Sequence, residues 1–184
     1  MNKRFLRFEL SFSRSLLIFF FLILAQSVAA QKIDGSFKLP EEVKYIRLDW
    51  DCSKTVFEGR MTEQEWIGTK GQEWVEAKRE VLQKVLDITN EKLTKTRFIV
   101  LLPESELKSS YTIFICPLTL DKYGKNTTEI ILKNEEGVSM GSVQYNDCGG
   151  RVGTLANLLG GGFEDAATSI ASVLKKHNYP KKKK

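Results

Sequence analysis

The stretch TTEIILKNEEGVSMGSVQY, residues 127–145, predicts an antiparallel hairpin. Residues 127–133 and 138–145 have the composition of two strands, and they flank the four-residue loop NEEG at 134–137. Gly137 can adopt the left-handed backbone conformation that closes such a loop. We therefore expect these two strands to pair, which makes the hairpin the most secure tertiary contact in the chain.

Three segments upstream of the hairpin also have strand patterns. Residues 111–118 (YTIFICPL) are apolar on both faces, as in a central strand, and Pro117 is expected to mark the strand's end because proline cannot donate a ladder hydrogen bond. In residues 45–52 apolar and polar side chains alternate, which indicates a strand with one buried face. Residues 98–102 are a short apolar run, either a strand or the collapsed end of a helix.

Two amphipathic helices are predicted. The longer one covers residues 72–95, and its apolar side chains recur at three- and four-residue spacing: Trp74, Ala77, Val81, Val85 and Ile88. Its opposite face carries charges of both signs, which indicates solvation. A short helical turn precedes it, and Thr62 with Glu65 predicts a capping box at its start. The last helix is predicted over residues 163–176.

The order of these elements indicates an α+β fold. A strand and a long helix come first, followed by a short strand, three longer strands and a final helix. We expect a mixed or antiparallel sheet of about four to five strands, packed against the long helix and the C-terminal helix.

The first thirty residues predict a cleavable signal peptide. Four basic residues precede an apolar run at 16–25, and the small residues 28–30 fit a cleavage site after Ala30. A transmembrane anchor is the alternative, but this run has about half of the roughly 20 apolar residues that a span requires. We therefore expect a signal peptide at 1–30, a single α+β domain at 31–180 and a basic tail at 181–184. The protein is then exported, and is periplasmic or secreted after cleavage.

The net charge of +5 reflects the two ends of the chain. The leader is basic and residues 181–184 are all lysines, so the charge does not indicate a nucleic-acid-binding face, and no nucleic-acid partner is expected. Four lysines without an apolar anchor predict at most weak association with a membrane surface.

Several stretches of the chain are similar to those of a known group of proteins. The leader, YIRLDWD, YTIFICPL and the ending GGRVGTLANLLGGGFEDAATSIASVLKK resemble small uncharacterised exported alpha-beta proteins of Bacteroidetes. Those proteins are similar in outline to the domain of curli-secretion-type envelope lipoproteins. The resemblance implies an α+β fold and an envelope location, and it supplies no active site. This chain lacks the acylated cysteine of the lipoprotein group.

The three cysteines Cys52, Cys116 and Cys148 allow at most one intramolecular disulfide. Three pairings exist and the sequence does not choose among them, or all three cysteines are buried or loop thiols. The chain has no CxxC pair, which argues against a thiol oxidoreductase or a cysteine zinc site.

Candidate catalytic groups are few. His177 is the single histidine, and it lies at the end of the last helix, where the sequence shows nothing to hold the imidazole for a pair with Cys148. Asp49 and Asp51 share one strand face, but Arg47 on that face favours a solvated or salt-bridged surface. Asn126-Thr127-Thr128 matches an N-glycosylation acceptor, a motif that is frequent by chance.

The segment 147–162 contains six of the thirteen glycines. Phosphate binding is disfavoured because Glu164 and Asp165 occupy the first turn of the predicted last helix and would repel an anion. Flexible backbone combined with apolar side chains predicts either a short helix folded over the sheet or a surface for a partner. The candidate interaction residues are Gly149, Gly150, Val152, Leu155, Leu158 and Leu159.

The sequence therefore favours an exported binding or interaction module of the envelope or periplasm, whose sheet edge or glycine-rich segment contacts an envelope protein or a cell-surface component. The alternative is a hydrolase with a sparse site that uses Cys148 or the surface carboxylates. No catalytic residue, cofactor or metal site is predicted, and the oligomeric state stays open.

Overall fold

The computed structural model describes residues 33–147, 149 and 153–179. The elements follow in the order β1 (Ile33–Gly35), β2 (Tyr45–Trp50), β3 (Val56–Phe57), α1 (Glu63–Lys70), α2 (Gln72–Leu93), β4 (Ile99–Leu101), β5 (Tyr111–Leu120), β6 (Asn126–Asn134), β7 (Ser139–Asp147) and α3 (Leu155–Asn178). No helix in these ranges is long and apolar enough to cross a membrane.

The seven strands form one mixed sheet, which confirms the predicted α+β class. Its order is β1-β7-β6-β5-β2-β4, and β3 pairs with the end of β5. Strand β2 runs parallel to both β4 and β5, whereas β5, β6, β7 and β1 pair antiparallel. The sheet exceeds the expected four to five strands because β1 and β3 have only three and two residues, too few for a periodic pattern.

The predicted hairpin is confirmed as β6 and β7. Ile130 pairs with Val143 in its register, and Gly137 has φ 77° in the connecting loop. The short apolar run at 98–102 is a strand, since β4 pairs with β2. The long helix is confirmed as α2, and α1 begins with the capping box of Thr62 and Glu65.

Helices α2 and α3 pack against each other and cover one face of the sheet. Alternate strand residues point toward them and are fully buried: Ile46, Leu48, Ile113, Ile115, Ile130, Leu132 and Val143. The intervening residues, such as Thr112 and Glu129, are half-buried on the other face. The polar and apolar alternation in the strands thus sets a two-layer arrangement.

The last helix begins at Leu155, so the predicted start at 163 was wrong. Thr154 is the N-cap, and its hydroxyl accepts a hydrogen bond from the backbone N–H of Asn157 at 3.3 Å. Leu155, Leu159 and Phe163 then continue one buried stripe at four-residue spacing. This burial outweighs the low helix propensity of the glycines at 160–162.

Strand β5 continues past Pro117, where the sequence predicted its end. The missing N–H disrupts no parallel ladder, because β2 pairs only as far as Ile115 and β3 resumes at Thr119. The Thr55 hydroxyl donates to the Pro117 carbonyl at 2.6 Å, and the register with β6 shifts between Pro117 and Thr119. Proline is accommodated here as it is at other strand irregularities.

Candidate functional site

One part of the glycine-rich segment 147–162 packs its backbone closely against a neighbouring turn, and another part belongs to α3. Leu155 and Leu159 are buried within α3 and Leu158 is half-buried, while Gly150 and Val152 lie outside the described residues. Gly149 lies against the turn between β5 and β6, where a β-carbon would overlap the carbonyl oxygen of Tyr123. That the glycine-rich segment contacts a partner stays a prediction.

A glycine junction of Gly124, Gly149 and Gly162 joins this segment to the β5–β6 turn. A β-carbon on Gly162 would overlap the Gly124 carbonyl, and one on Gly124 would overlap the Leu158 carbonyl. The buried Asn126 amide bridges the junction, donating to the carbonyls of Gly124 at 3.0 Å and Gly162 at 2.7 Å. The asparagine of the glycosylation motif is therefore inside the folded domain.

Two of the three cysteines are buried free thiols, Cys52 and Cys116. Burial raises the pKa of each to about 12. Neither thiol is therefore ionised enough near neutral pH to act as a nucleophile. Cys148, the thiol of the hydrolase alternative, lies outside the described residues.

The imidazole of His177 is held in place, contrary to the expectation from the sequence. Its Nδ1 accepts the backbone N–H of Phe37 at 3.3 Å, and the ring meets the Phe37 ring edge-on at 6.0 Å between centroids. Asn178 beside it accepts the N–H of Leu39 at 2.9 Å and donates to the Phe37 carbonyl at 2.9 Å. These contacts tie the end of α3 to the segment after β1.

The two candidate carboxylates have separate roles at the end of β2. Asp51 accepts the hydroxyl of Ser53 at 2.6 Å and its N–H at 3.1 Å, and this hydroxyl bond lowers the pKa of Asp51. Asp49 accepts the N–H of Trp50 at 2.7 Å. Within the described ranges, no three His, Cys, Asp or Glu side chains come together as a metal-binding group.

Asp49 lines a groove of about 340 Å³ that no pattern in the sequence predicted. The groove lies beside the last residue of β2 and the first residues after β4, and α1 and α2 form its other wall. The carboxyl ends of parallel strands commonly hold ligands in open α/β sheets, and the volume lies in the range of ligand sites. Its lining is Asp49, Trp50, Glu63, Ile67, Trp74, Val75, Lys78, Arg79, Leu82, Leu102 and Glu104.

Hydrogen bonds fix the groove wall. Glu63 on α1 accepts the indole N–H of Trp74 at 3.1 Å and the ammonium of Lys78 at 2.8 Å. The Trp50 indole N–H donates to the Lys78 carbonyl at 3.2 Å, which joins the end of β2 to α2. The polar groups of both tryptophans are thus satisfied internally, leaving their apolar rings to shape the groove.

Two large apolar side chains stand exposed at the rim of this groove, Ile67 at 40% and Val75 at 49%. Ile67 is next to Trp66, the one buried residue of α1, and Val75 lies off the buried stripe of α2. These two apolar residues outside the buried positions were the available signal in the sequence. It could not be interpreted without knowing that α1 and α2 meet beside Leu102. A second cavity of about 410 Å³ adjoins the groove, sharing Arg79, Leu102 and Glu104 with it and extending to Glu76, Glu80 and Gln83.

The β4 edge of the sheet is closed by a side chain. The Asn90 amide donates to the Val100 carbonyl at 2.9 Å, and its oxygen accepts the Val100 N–H at 2.8 Å. Val100 is the middle residue of this three-residue edge strand. The N–H of the neighbouring Ile99 points the other way and donates to the carbonyl of Lys44, the residue before β2. Asn90 therefore occupies the position that an added strand would take.

No protein-family model and no curated protein matches the chain. Among solved structures, it is similar to an uncharacterized protein at 9% identity and TM-score 0.39, over 77% of this chain and 98% of that one. It is also similar to the PelC dodecamer from Paraburkholderia phytofirmans at 6% identity and TM-score 0.36, over 73% of this chain and 94% of that one. Similarities at such TM-scores carry no functional argument, and the relation to exported Bacteroidetes proteins stays a prediction.

Proposed function

We propose that the protein is an exported binding module of the cell envelope that holds a partner protein in the groove between α2 and the segment after β4. The export part of this proposal rests on the basic and apolar leader and the small residues at 28–30. The binding part rests on the groove.

The observation that carries the proposal is an apolar patch beside a concave surface. Ile67 and Val75 are exposed at its rim, and Trp50 and Leu102 are half-buried along it. Exposed apolar side chains gathered at a groove are typical of interaction sites, whereas single exposed ones need no explanation. Burying the four side chains against a partner would supply the hydrophobic contribution to binding.

The proposal is tested by recovering partners from the source envelope with the tagged exported chain. The double variant Ile67→Ser/Val75→Ser removes the exposed patch without opening the core, because both side chains already face solvent. We expect it to lose the partner while its thermal unfolding temperature stays within a few degrees of that of the unchanged chain.

A matched control is Leu107→Ser/Val138→Ser, which removes two apolar side chains that do not line the groove and are slightly more exposed, at 47% and 56%. The control should recover the partner as the unchanged chain does. Equal recovery by both double variants would refute the groove as the binding site.

A further inference from the structure

We infer that the occupant of the groove is a short extended segment of a partner protein that carries basic and apolar side chains. This inference rests on the proposed function and adds the chemistry of the ligand. Charge, shape and the closed sheet edge each contribute to it.

The groove and its adjoining cavity are strongly acidic. Five carboxylates line them against two cations: Asp49, Glu63, Glu76, Glu80, Glu104, Lys78 and Arg79. Glu63 is neutralised by Lys78 at 2.8 Å. Among the described residues, the other four carboxylates have no salt bridge. Basic side chains of a ligand would supply the missing counter-charges.

The shape favours a segment of polypeptide. The two cavities follow α2 from Trp74 to Gln83, and the nine helical steps between these residues measure about 14 Å. An extended chain of about four residues covers that length, since each residue advances about 3.3 Å. Trp50, Val75 and Leu102 lie along this path and provide apolar contacts between the carboxylates.

The closed edge determines how such a segment can be held. Because the Asn90 amide already pairs with both backbone groups of Val100, the ligand cannot simply add a strand to β4. Recognition in the groove therefore depends on side chains, which makes it sensitive to ligand sequence and to salt.

The inference is tested with a fluorescent pentapeptide, Lys-Leu-Lys-Leu-Lys, whose binding to the exported chain is followed by anisotropy. Replacing the lysines by glutamates or the leucines by glycines should each weaken binding. The triple variant Glu76→Gln/Glu80→Gln/Glu104→Gln should weaken it about tenfold, since ion pairs of such exposed carboxylates contribute about 0.5 kcal/mol each. The charge-matched control Glu73→Gln/Glu91→Gln/Glu135→Gln should change it less than about twofold.

Other outcomes overturn the inference in distinguishable ways. If Ile67→Ser/Val75→Ser loses the envelope partner while the Glu76, Glu80 and Glu104 triple variant changes neither peptide nor partner binding, the groove binds a ligand that is not basic. If neither set of variants affects partner recovery, the proposed function itself fails. If the peptide binds only after residues 180–184 are removed, the chain's own lysine tail is the occupant, and the assignment to a partner is wrong.

Discussion

At the scale of single residues, Gly160 and Gly162 lie two positions apart in α3 but have opposite constraints. A β-carbon at Gly160 would make ordinary contact with the Lys84 side chain at 3.5 Å, whereas one at Gly162 would overlap the Gly124 backbone. Replacement by alanine should therefore stabilise the protein at Gly160 and destabilise it at Gly162.

We expect Gly160→Ala to stabilise the protein by about 0.5–1 kcal/mol, because alanine loses less backbone entropy in a helix. Gly162→Ala should destabilise it by about 2 kcal/mol, because the turn at Gly124 must move away. Urea unfolding midpoints measure both effects. Equal shifts in the two variants would contradict the close packing of the glycine junction.

The thiols of Cys52 and Cys116 should be unreactive in the native protein. Burial raises their pKa to about 12, so we expect iodoacetamide at pH 8 to label neither in the folded state and both after denaturation without reductant. Peptide mapping by mass spectrometry measures the labelling at each site. Rapid labelling of either cysteine in the folded protein would contradict its burial.

Because the pKa of both thiols is raised, the stability of the folded protein depends on pH in the alkaline range. The folded pKa lies above the ordinary value of 9.0, so the folded state favours the neutral thiol. The stability that this contributes is fully present below about pH 9 and is lost as the pH rises towards 12.

At the scale of elements, Asn90 protects the edge strand β4. Replacing it by alanine leaves the N–H and carbonyl of Val100 without their amide partner. We expect Asn90→Ala to lower stability by about 1–2 kcal/mol and to increase self-association, because the freed backbone groups can pair with another strand. Sedimentation velocity over a range of concentrations measures the association.

The exposed Gln83 on the same helix provides a control for Asn90. Gln83→Ala should leave both stability and sedimentation nearly unchanged. A monomeric Asn90→Ala variant of unchanged stability would show that the amide contributes nothing at this edge.

The elements that could be predicted from the sequence are those with a long periodic pattern. Strands β2, β5, β6 and β7 and helix α2 each repeat the pattern of a half-buried or fully buried element several times. The start of α3 was missed because three glycines at 160–162 disfavour a helix locally, and the burial of Leu155, Leu159 and Phe163 against the rest of the fold outweighs that preference. Strands β1 and β3 are too short to repeat any pattern.

At the scale of the whole molecule, the groove could not be predicted because its residues come from four separate parts of the chain. Trp50 belongs to β2, Ile67 to α1 and Val75 to α2, and Leu102 directly follows β4. The sequence shows each as an apolar residue, but the parallel pairing of β2 with β4 and the packing of α1 and α2 beside these strands are what place them together.

The two ends of the described domain are joined, and this constrains where the proposed leader could be removed. Strand β1 starts at Ile33, Phe37 and Leu39 are buried, and His177 and Asn178 bind their backbone. Cleavage after Ala30 preserves all these contacts, whereas cleavage beyond Leu39 would remove β1 and two core side chains.

We therefore expect the intact mass of the exported protein to correspond to a chain starting at Gln31. A retained leader or an added lipid mass would contradict the proposed export route, and a start beyond Leu39 with unchanged thermal stability would contradict the structural role of this segment.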